Sequence, residues 1–532
     1  MSSKYLEKQK NSMKIALNAD SFNVIYKNNT LVFLSFLIIV SLSIRLYYTP
    51  FEIPIKLDGI DYFSFAFEVS KSQKFPIGIL QTNDGWSLFL SPIFSMIGHT
   101  DFMSLIHAQR ITGITISTLT IIPVYVLSKK FVSSKYALIG AGIFVFDPRL
   151  IENSILGLTE SLLLLLISFM LVFALDKNKK SFLISFILLA LASIVRYEVL
   201  LLVIPLSIIF FLRFKNERSS YLKYSLFICI FILILIPIAA IRIDSNNIDG
   251  LTSHVFSGPS DFFEQPTGLI QNDSNVLNKI ENNFISNSFF NTIKFLGLVT
   301  IPFFLFFLPF GIYNLLKTKN VSLLYLIIFA VFMILPALYA YGRDMQETRY
   351  LFILFPILCV ISAYGLNLTK KLLNEKYLLA ILAIIIFSSF LLLDYSQPDY
   401  IFQQEIYLVT KNIVNDATGV NSYYGSGFLK VATLEQNWPN SLPLDEIGKN
   451  TYSTARISSK GFETLEGYIH DSRPNGLSHI VLLENNRSPF LDDIFINYEN
   501  YSYLKKTFDS SNYNFENKII ILKIDYSIFD SR

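Results

Sequence analysis

Charge is scarce in this chain. Asp, Glu, Lys and Arg make up 16% of its 532 residues, against roughly 25% in an ordinary soluble domain, which excludes a water-facing surface along most of its length. The net charge of +3 comes with no long Lys/Arg run, so nothing is present to hold a nucleic-acid backbone. Cysteine is nearly absent, and Cys229 and Cys359 both sit in apolar runs. There is therefore no disulfide framework and no Cys-based metal site, and the thiols say nothing of compartment. His99, His107 and His254 lack ligand-like spacing such as HxxxH; a lone His is more often a hydrogen-bonded structural residue. Internal repeats, a Walker loop and a GxGxxG fingerprint are missing as well.

What is there instead is apolar sequence: 52% hydrophobic and 15% aromatic residues, with a mean hydropathy of +0.46. A bilayer core about 30 Å thick needs about 20 largely apolar residues per helix. The first candidate runs from Thr30 to Tyr48, longer than a signal-peptide core and without a small-residue cleavage site after it. Further spans are expected near Ile111–Leu127, Tyr136–Phe146, Ser161–Leu175, Ser181–Val195, Val199–Leu212, Tyr221–Ile241, Thr292–Leu316, Val321–Ala340, Tyr350–Leu368 and Tyr377–Leu393, about 11 in all. Two stretches are ambiguous, each readable as one long helix or as two short spans. As one helix Ser181–Leu212 would be about 48 Å long, with Arg196 and Glu198 near mid-bilayer, where a charge costs on the order of 3 kcal/mol. A turn at Arg196-Tyr197-Glu198 avoids that cost, and Tyr136–Leu175 divides in the same way around Asp147-Pro148-Arg149.

The positive-inside rule gives the sides. Lys4, Lys8, Lys10 and Lys14 put the N-terminus in the cytoplasm. The alternate turns then hold Lys129-Lys130, Lys177/Lys179/Lys180, Arg213/Lys215/Arg218, Lys317/Lys319 and Lys370-Lys371. Outside lie two loops, about 49–110 and 242–291, and a tail from Asp394 to Arg532. The tail mixes polar residues and turns with short apolar strands, His479–Leu483 and Lys518–Ile524, and helical patterns, Gln404–Val414 and Phe462–Ile469. It reads as an extracytoplasmic α/β domain, long enough to bury its own core. The sequons Asn272-Asp273-Ser274, Asn486-Arg487-Ser488 and Asn500-Tyr501-Ser502 face outward in this arrangement and are short enough to arise by chance.

Acids and arginines at span ends are where function is sought in such a chain. The outer ends carry Asp58, Asp61, Asp84, Asp147, Arg149, Glu152, Glu160, Arg196, Glu198, Arg343, Asp344, Glu347 and Arg349. Asp58 and Asp61 stand three apart and share a face if helix starts there. They suit a general base and a second, orienting or metal-binding acid, while the plainer reading of Asp58 is a helix N-cap. Glu160 or Thr159 can likewise open a helix, and Arg196 and Glu198 can form a self-contained pair.

Four segments add order to this pattern: Asp58-Gly59-Ile60-Asp61-Tyr62 after the first span; Pro76–Gly98 with Gly85-Trp86-Ser87-Leu88-Phe89-Leu90-Ser91-Pro92; Thr159-Glu160-Ser161 and Arg196-Tyr197-Glu198 at span ends; and Arg349-Tyr350-Leu351 before Phe355-Pro356. In this order they resemble the GT-C superfamily of membrane glycosyltransferases. The nearest branch contains the protein O-mannosyltransferases, the bacterial aminoarabinose transferase and many archaeal and bacterial relatives, which makes a prokaryotic, archaeal source the expectation. The likeness covers roughly Thr30 to Leu393. Gly59 stands where many relatives have a second acid, so the division of labour between Asp58 and Asp61 stays open. The double-Trp-Asp signature of oligosaccharyltransferases is missing, which argues against transfer of a whole oligosaccharide.

The resemblance implies a polytopic α-helical membrane protein with a GT-C-like catalytic region over residues 1–393 and the α/β domain over 394–532. It implies transfer of a hexosyl or pentosyl unit from a polyprenyl or dolichyl phosphate to a hydroxyl of a glycan, lipid or protein acceptor at the outer face of the cell membrane, with inversion. Asp58 is then the base and Asp61 its companion. Tyr62, Glu160, Arg196, Glu198, Arg343, Arg349 and Tyr350 are implied as substrate-binding residues, and a divalent metal is compatible with the site without being required. The rival expectation is a transporter or flippase of lipid-linked sugars, which would also carry intramembrane charges.

Overall fold

The structure is a computed structural model that describes residues 28–76, 83–216, 219–246, 249–252, 284–317, 321–369, 374–440, 454–484 and 488–531. The N-terminal lysines, Arg218, His254, the sequon at Asn272, Lys319, Lys370-Lys371 and Asn486-Arg487 lie outside the described residues. The helices up to residue 396 are α1 (Asn28–Tyr47), α2 (Asp58–Ser72), α3 (Gly85–Ile97), α4 (Phe102–Leu119), α5 (Ile121–Lys129), α6 (Ser134–Phe146), α7 (Pro148–Ile155) and α8 (Glu160–Ala174). They continue as α9 (Lys179–Val195), α10 (Val203–Phe214), α11 (Ser220–Asn246), α12 (Phe284–Thr300), α13 (Phe303–Lys317), α14 (Val321–Gly342), α15 (Phe355–Thr369) and α16 (Glu375–Ser396). The chain divides into two compact units: residues 1–49, 81–89 and 110–395, and residues 50–80, 90–109 and 396–532.

Seven helices among the described residues are long and apolar enough to cross a membrane, or eight if one bent pair counts as a span. Three shorter apolar helices, α3, α6 and α8, add to them. The bent pair corrects one expectation. Thr292–Leu316 is not a single helix: Phe284–Thr300 and Phe303–Tyr313 meet at 108°. Pro302 stands at the break, and a proline has no N–H with which to extend the i to i−4 ladder. The second span also starts earlier than expected, at Phe102 instead of Ile111, because the charge of Arg110 interrupts the hydropathy without interrupting the helix.

The two expected breaks have identifiable causes. Asp147 is extended (φ −68°, ψ 121°), and its carboxylate accepts from the N–H groups of Arg149 and Leu150. Pro148 then opens α7 at the position where its missing N–H costs least. Arg196 is extended too (φ −147°) and ends α9 before a 3₁₀ turn, Tyr197–Leu202. Elsewhere in this unit helices touch through glycine. A Cβ at Gly311 would run into the Ile361 carbonyl, and one at Gly365 into the Phe307 carbonyl, the small-residue contact by which α13 and α15 approach closely.

The second unit holds α2 and the tail elements α17 (Tyr400–Asp416), α18 (Leu429–Gln436), α19 (Leu465–Ser472), α20 (Pro489–Asn497) and α21 (Tyr526–Phe529). Its five strands are β1 (Gly419–Asn421), β2 (Ala455–Ile457), β3 (His479–Leu483), β4 (Leu504–Asp509) and β5 (Ile519–Ile524), in the order β2-β1-β3-β5-β4. β1 runs parallel to β2 and β3, and β5 is antiparallel to β3 and β4. β3 is buried at every residue, as an apolar run covered on both faces must be. Its core includes Ile480, Leu482, Ile520, Leu522, Tyr468 and Tyr503. The helical pattern expected at Phe462–Ile469 begins instead at Leu465, because the Thr464 hydroxyl accepts from the Gly467 N–H and caps α19.

Candidate functional site

In the second unit the acidic turn opens α2. Asp58 is the first helical residue and the N-cap position belongs to Leu57, which makes no side-chain cap bond. The reading of Asp58 as an N-cap is thus corrected: the carboxylate stands in the first turn, near the positive end of the helix dipole. Leu57 is 62% exposed and adopts φ 55°, ψ −136°, a conformation leucine rarely takes and one found where surrounding structure holds it. Gln109 donates to the Gly59 carbonyl at 2.9 Å. Asp61 lies one helical turn on, half-exposed, and its Oδ1 accepts from the Lys430 ammonium on α18. Tyr62 follows, partly buried. Behind them Phe63 and Phe67 pack on Trp438, with ring centroids 6.1 and 4.3 Å away.

In the first unit Arg196 is the centre of a second cluster. Its Nη1 donates to Glu160 Oε1 at 2.8 Å and its Nη2 to Glu198 Oε1 at 2.9 Å. Glu160 is 1% exposed, and its Oε2 is buried with no hydrogen bond among the described residues. The pair Arg196–Glu198 is therefore real and is not self-contained, since it recruits an acid 36 residues away. Arg349 pairs with Glu347, and the guanidinium groups of Arg196 and Arg349 each lie 6.0 Å from the Tyr350 ring centre. A small cleft joins these groups to apolar side chains: Arg196, Glu198, Arg349 and Tyr350 face it together with Leu163, Leu202, Phe332 and Met333. Arg343 is exposed, sits over the Tyr339 ring at 5.2 Å and does not line the cleft.

Sequence reasoning noticed Asp84 and missed its partner. Arg242, at the end of α11, donates from Nε and Nη2 to Asp84 Oδ2 at 2.9 and 2.7 Å, and from Nη1 to the Gly250 carbonyl. Both side chains are buried. Burial pushes the Asp84 carboxyl up to about 6, against the pull of Arg242. The signal available was an arginine closing the apolar run Tyr221–Ile241 at an end where the other turns carry no basic cluster. Lys430 was missed too, being a single lysine in a polar tail. Among the described residues no group of three or more His, Cys, Asp or Glu is placed to hold a metal ion.

Residues 89–242 match the family model described as dolichyl-phosphate-mannose-protein mannosyltransferase, a segment that includes Glu160, Arg196, Glu198 and Arg242. No curated protein matches the sequence. Among solved structures, ArnT from Cupriavidus metallidurans bound to undecaprenyl phosphate aligns with a TM-score of 0.56 at 10% identity, over 92% of this chain and 97% of that one. The oligosaccharyltransferase AglB from Archaeoglobus fulgidus, in complex with an inhibitory peptide and a dolichol-phosphate, aligns with a TM-score of 0.55 at 13% identity, over 86% of this chain and 69% of that one. A further structure of the A. fulgidus oligosaccharyltransferase, a complex with Zn and sulfate, gives 0.54 at 15% identity, over 84% and 67%. This chain is a multi-pass membrane protein with the fold of the GT-C superfamily of membrane glycosyltransferases.

Proposed function

We propose that the chain transfers one hexosyl or pentosyl unit from a polyprenyl or dolichyl phosphate to an acceptor hydroxyl, with Asp58 as general base and inversion at the anomeric carbon. The observation that carries this reading is the cleft that Arg196, Arg349 and Tyr350 line together with aliphatic and aromatic side chains. A phosphate wants the guanidinium fork, and an isoprenoid wants the apolar side chains. The region match and the fold shared with proteins bound to undecaprenyl phosphate and dolichol-phosphate support the same donor class.

A hydroxyl is a poor nucleophile, so its proton must leave as the new bond forms. In the proposed reaction Asp58 takes that proton, the acceptor oxygen bonds to the anomeric carbon, and the carbon–oxygen bond to phosphate breaks with its electron pair left on the phosphate. Arg349 and Arg196 offset the added negative charge. Asp61 is the alternative candidate for the base, and its Oδ1 accepts from Lys430. Tyr62, Glu160, Glu198 and Tyr350 serve substrate binding, and Arg343 is a more peripheral cation. The positive-inside pattern supports a cytoplasmic N-terminus, a cell-membrane location and an outward tail.

The test is transfer from a radiolabelled polyprenyl-phosphate sugar to an acceptor in detergent. Asp58→Asn is expected to lose about 10²-fold or more of the rate at an unchanged level of membrane-inserted protein. Full activity in that variant would sink Asp58 as the base. Movement of the labelled lipid across sealed vesicles with no new glycoside would sink the transferase reading in favour of a flippase.

A further inference from the structure

The acidic turn is gripped from outside its own helix, and the grip comes from the C-terminal region. Lys430, the second residue of α18, reaches Asp61 across 369 positions of sequence. Its side chain is 31% exposed and that of Asp61 46% exposed, and pairs this open to water contribute little to stability. Its placement is more telling. The residues just before α18 abut those just before Asp58: a Cβ on Gly427 would lie 3.6 Å from Leu57 Cδ2 and 3.9 Å from Lys56 Cδ. The Lys56 ammonium stands 4.9 Å from the Phe428 ring centre and 5.8 Å from that of Tyr424, and donates to Gln403 Oε1 at 3.2 Å. Residues 424–430 therefore hold residues 56–61 at both ends. Between those ends is Leu57 at φ 55°, exposed and so not fixed by burial.

We propose that Lys430 is a positioning residue for the acidic turn: by fixing the Asp61 carboxylate it sets the direction in which Asp58 is presented one helical turn earlier. This rests on the reading of Asp58 as the base. A base must sit within hydrogen-bond reach of the proton it takes, and a displacement of about 1 Å can cost on the order of 10²-fold in rate. Lys430 itself touches no reacting atom in this scheme.

The experiment uses the full-length chain in detergent with a polyprenyl-phosphate sugar as donor. Lys430→Met is expected to lower kcat about 10- to 100-fold, leave KM for the donor within about twofold, and leave membrane level and Tm unchanged. Lys430→Arg is expected to restore most of the rate. In an Asp61→Asn background Lys430→Met should add less than about twofold, because coupled residues are not additive. Hydrogen exchange over residues 56–62 should be faster in Lys430→Met than in wild type. A wild-type kcat in Lys430→Met, a rise in donor KM alone, or full additivity with Asp61→Asn would overturn the proposal. If wild type itself transfers no sugar, the transferase reading falls, and if Asp58→Asn matches wild type, Asp58 falls as the base; in either case unchanged exchange over residues 56–62 still overturns Lys430 as the clamp, and faster exchange upholds it.

Discussion

Taking a carboxylate out of water costs several kcal/mol unless a cation meets it, and Asp84, 1% exposed, is met by Arg242 at 3%. Its carboxyl stands at about 6 where the ordinary value is 3.8, chiefly through burial. Between those values the folded chain binds the proton more tightly than the unfolded one. The group's contribution to stability is thus full below about pH 4 and lost as pH rises through about 6. Arg242 works against that loss, so Arg242→Met leaves a buried carboxylate alone and pushes its carboxyl higher still. The expected cost is about 3–5 kcal/mol at pH 7.5 and clearly less at pH 5, where Asp84 takes up a proton. Thermal unfolding in detergent at the two pH values measures it, and equal losses would contradict the account. The same residues show what a linear sequence conceals. Glu160, Arg196 and Glu198 are legible because each interrupts or ends an apolar run. Asp84 is legible as a charge, but its partner lies 158 positions away and nothing in hydropathy joins them. Lys430 is hidden more thoroughly, since a lysine among polar residues carries no anomaly to notice.

At the scale of elements, backbone contacts govern more than side-chain chemistry does. The N-terminus of α3 meets the end of α9 so closely that a Cβ on Gly85 would fall 2.6 Å from the Val195 nitrogen and 2.7 Å from its Cα. Main chain cannot swing aside as a long side chain can. Trp86, fully buried, pins the same end of α3 by donating from Nε1 to the Gly157 carbonyl at 2.8 Å. Gly85→Ala must therefore push apart a pair of helices whose neighbouring residues are Asp84 and Arg196. We expect a loss of about 1–3 kcal/mol and at least a tenfold drop in transfer, read from Tm and product formation on one purified preparation. Wild-type values for both would mean the contact is slack. The breaks at Asp147 and Arg196 are legible because charge is intolerable at mid-bilayer. The bend between α12 and α13 is not, because proline alone does not announce a break: Pro237 and Pro336 lie inside continuous helices, where neighbouring groups can satisfy the freed carbonyl.

For the molecule as a whole, the chain order misleads about what belongs together. Hydropathy separates an apolar leading region from a polar tail, and on that division a chain cut near Leu393 would keep its catalytic region. The second compact unit, however, gathers residues 50–80 and 90–109 with 396–532. Within it the Trp438 ring covers Phe63, Phe67 and Phe102, the last at 5.4 Å between centroids, and Lys71 donates to the Pro439 carbonyl at 2.8 Å. A chain ending at Tyr395 leaves that aromatic face of α2 bare and removes Lys430 as well. Its spans keep the apolar length that drives insertion, so membrane integration should survive. What should fail is the acidic turn, with transfer lost and residues 50–76 open to protease from the side that bears them. Trp438→Ala in the full chain isolates the packing share, at about 2 kcal/mol or more for the lost ring, with Lys430 still in place. If the shortened chain transfers sugar at the wild-type rate and its residues 50–76 resist protease, the tail is an appendage. Loss of both, with insertion intact, makes the tail a wall of the site that bears Asp58.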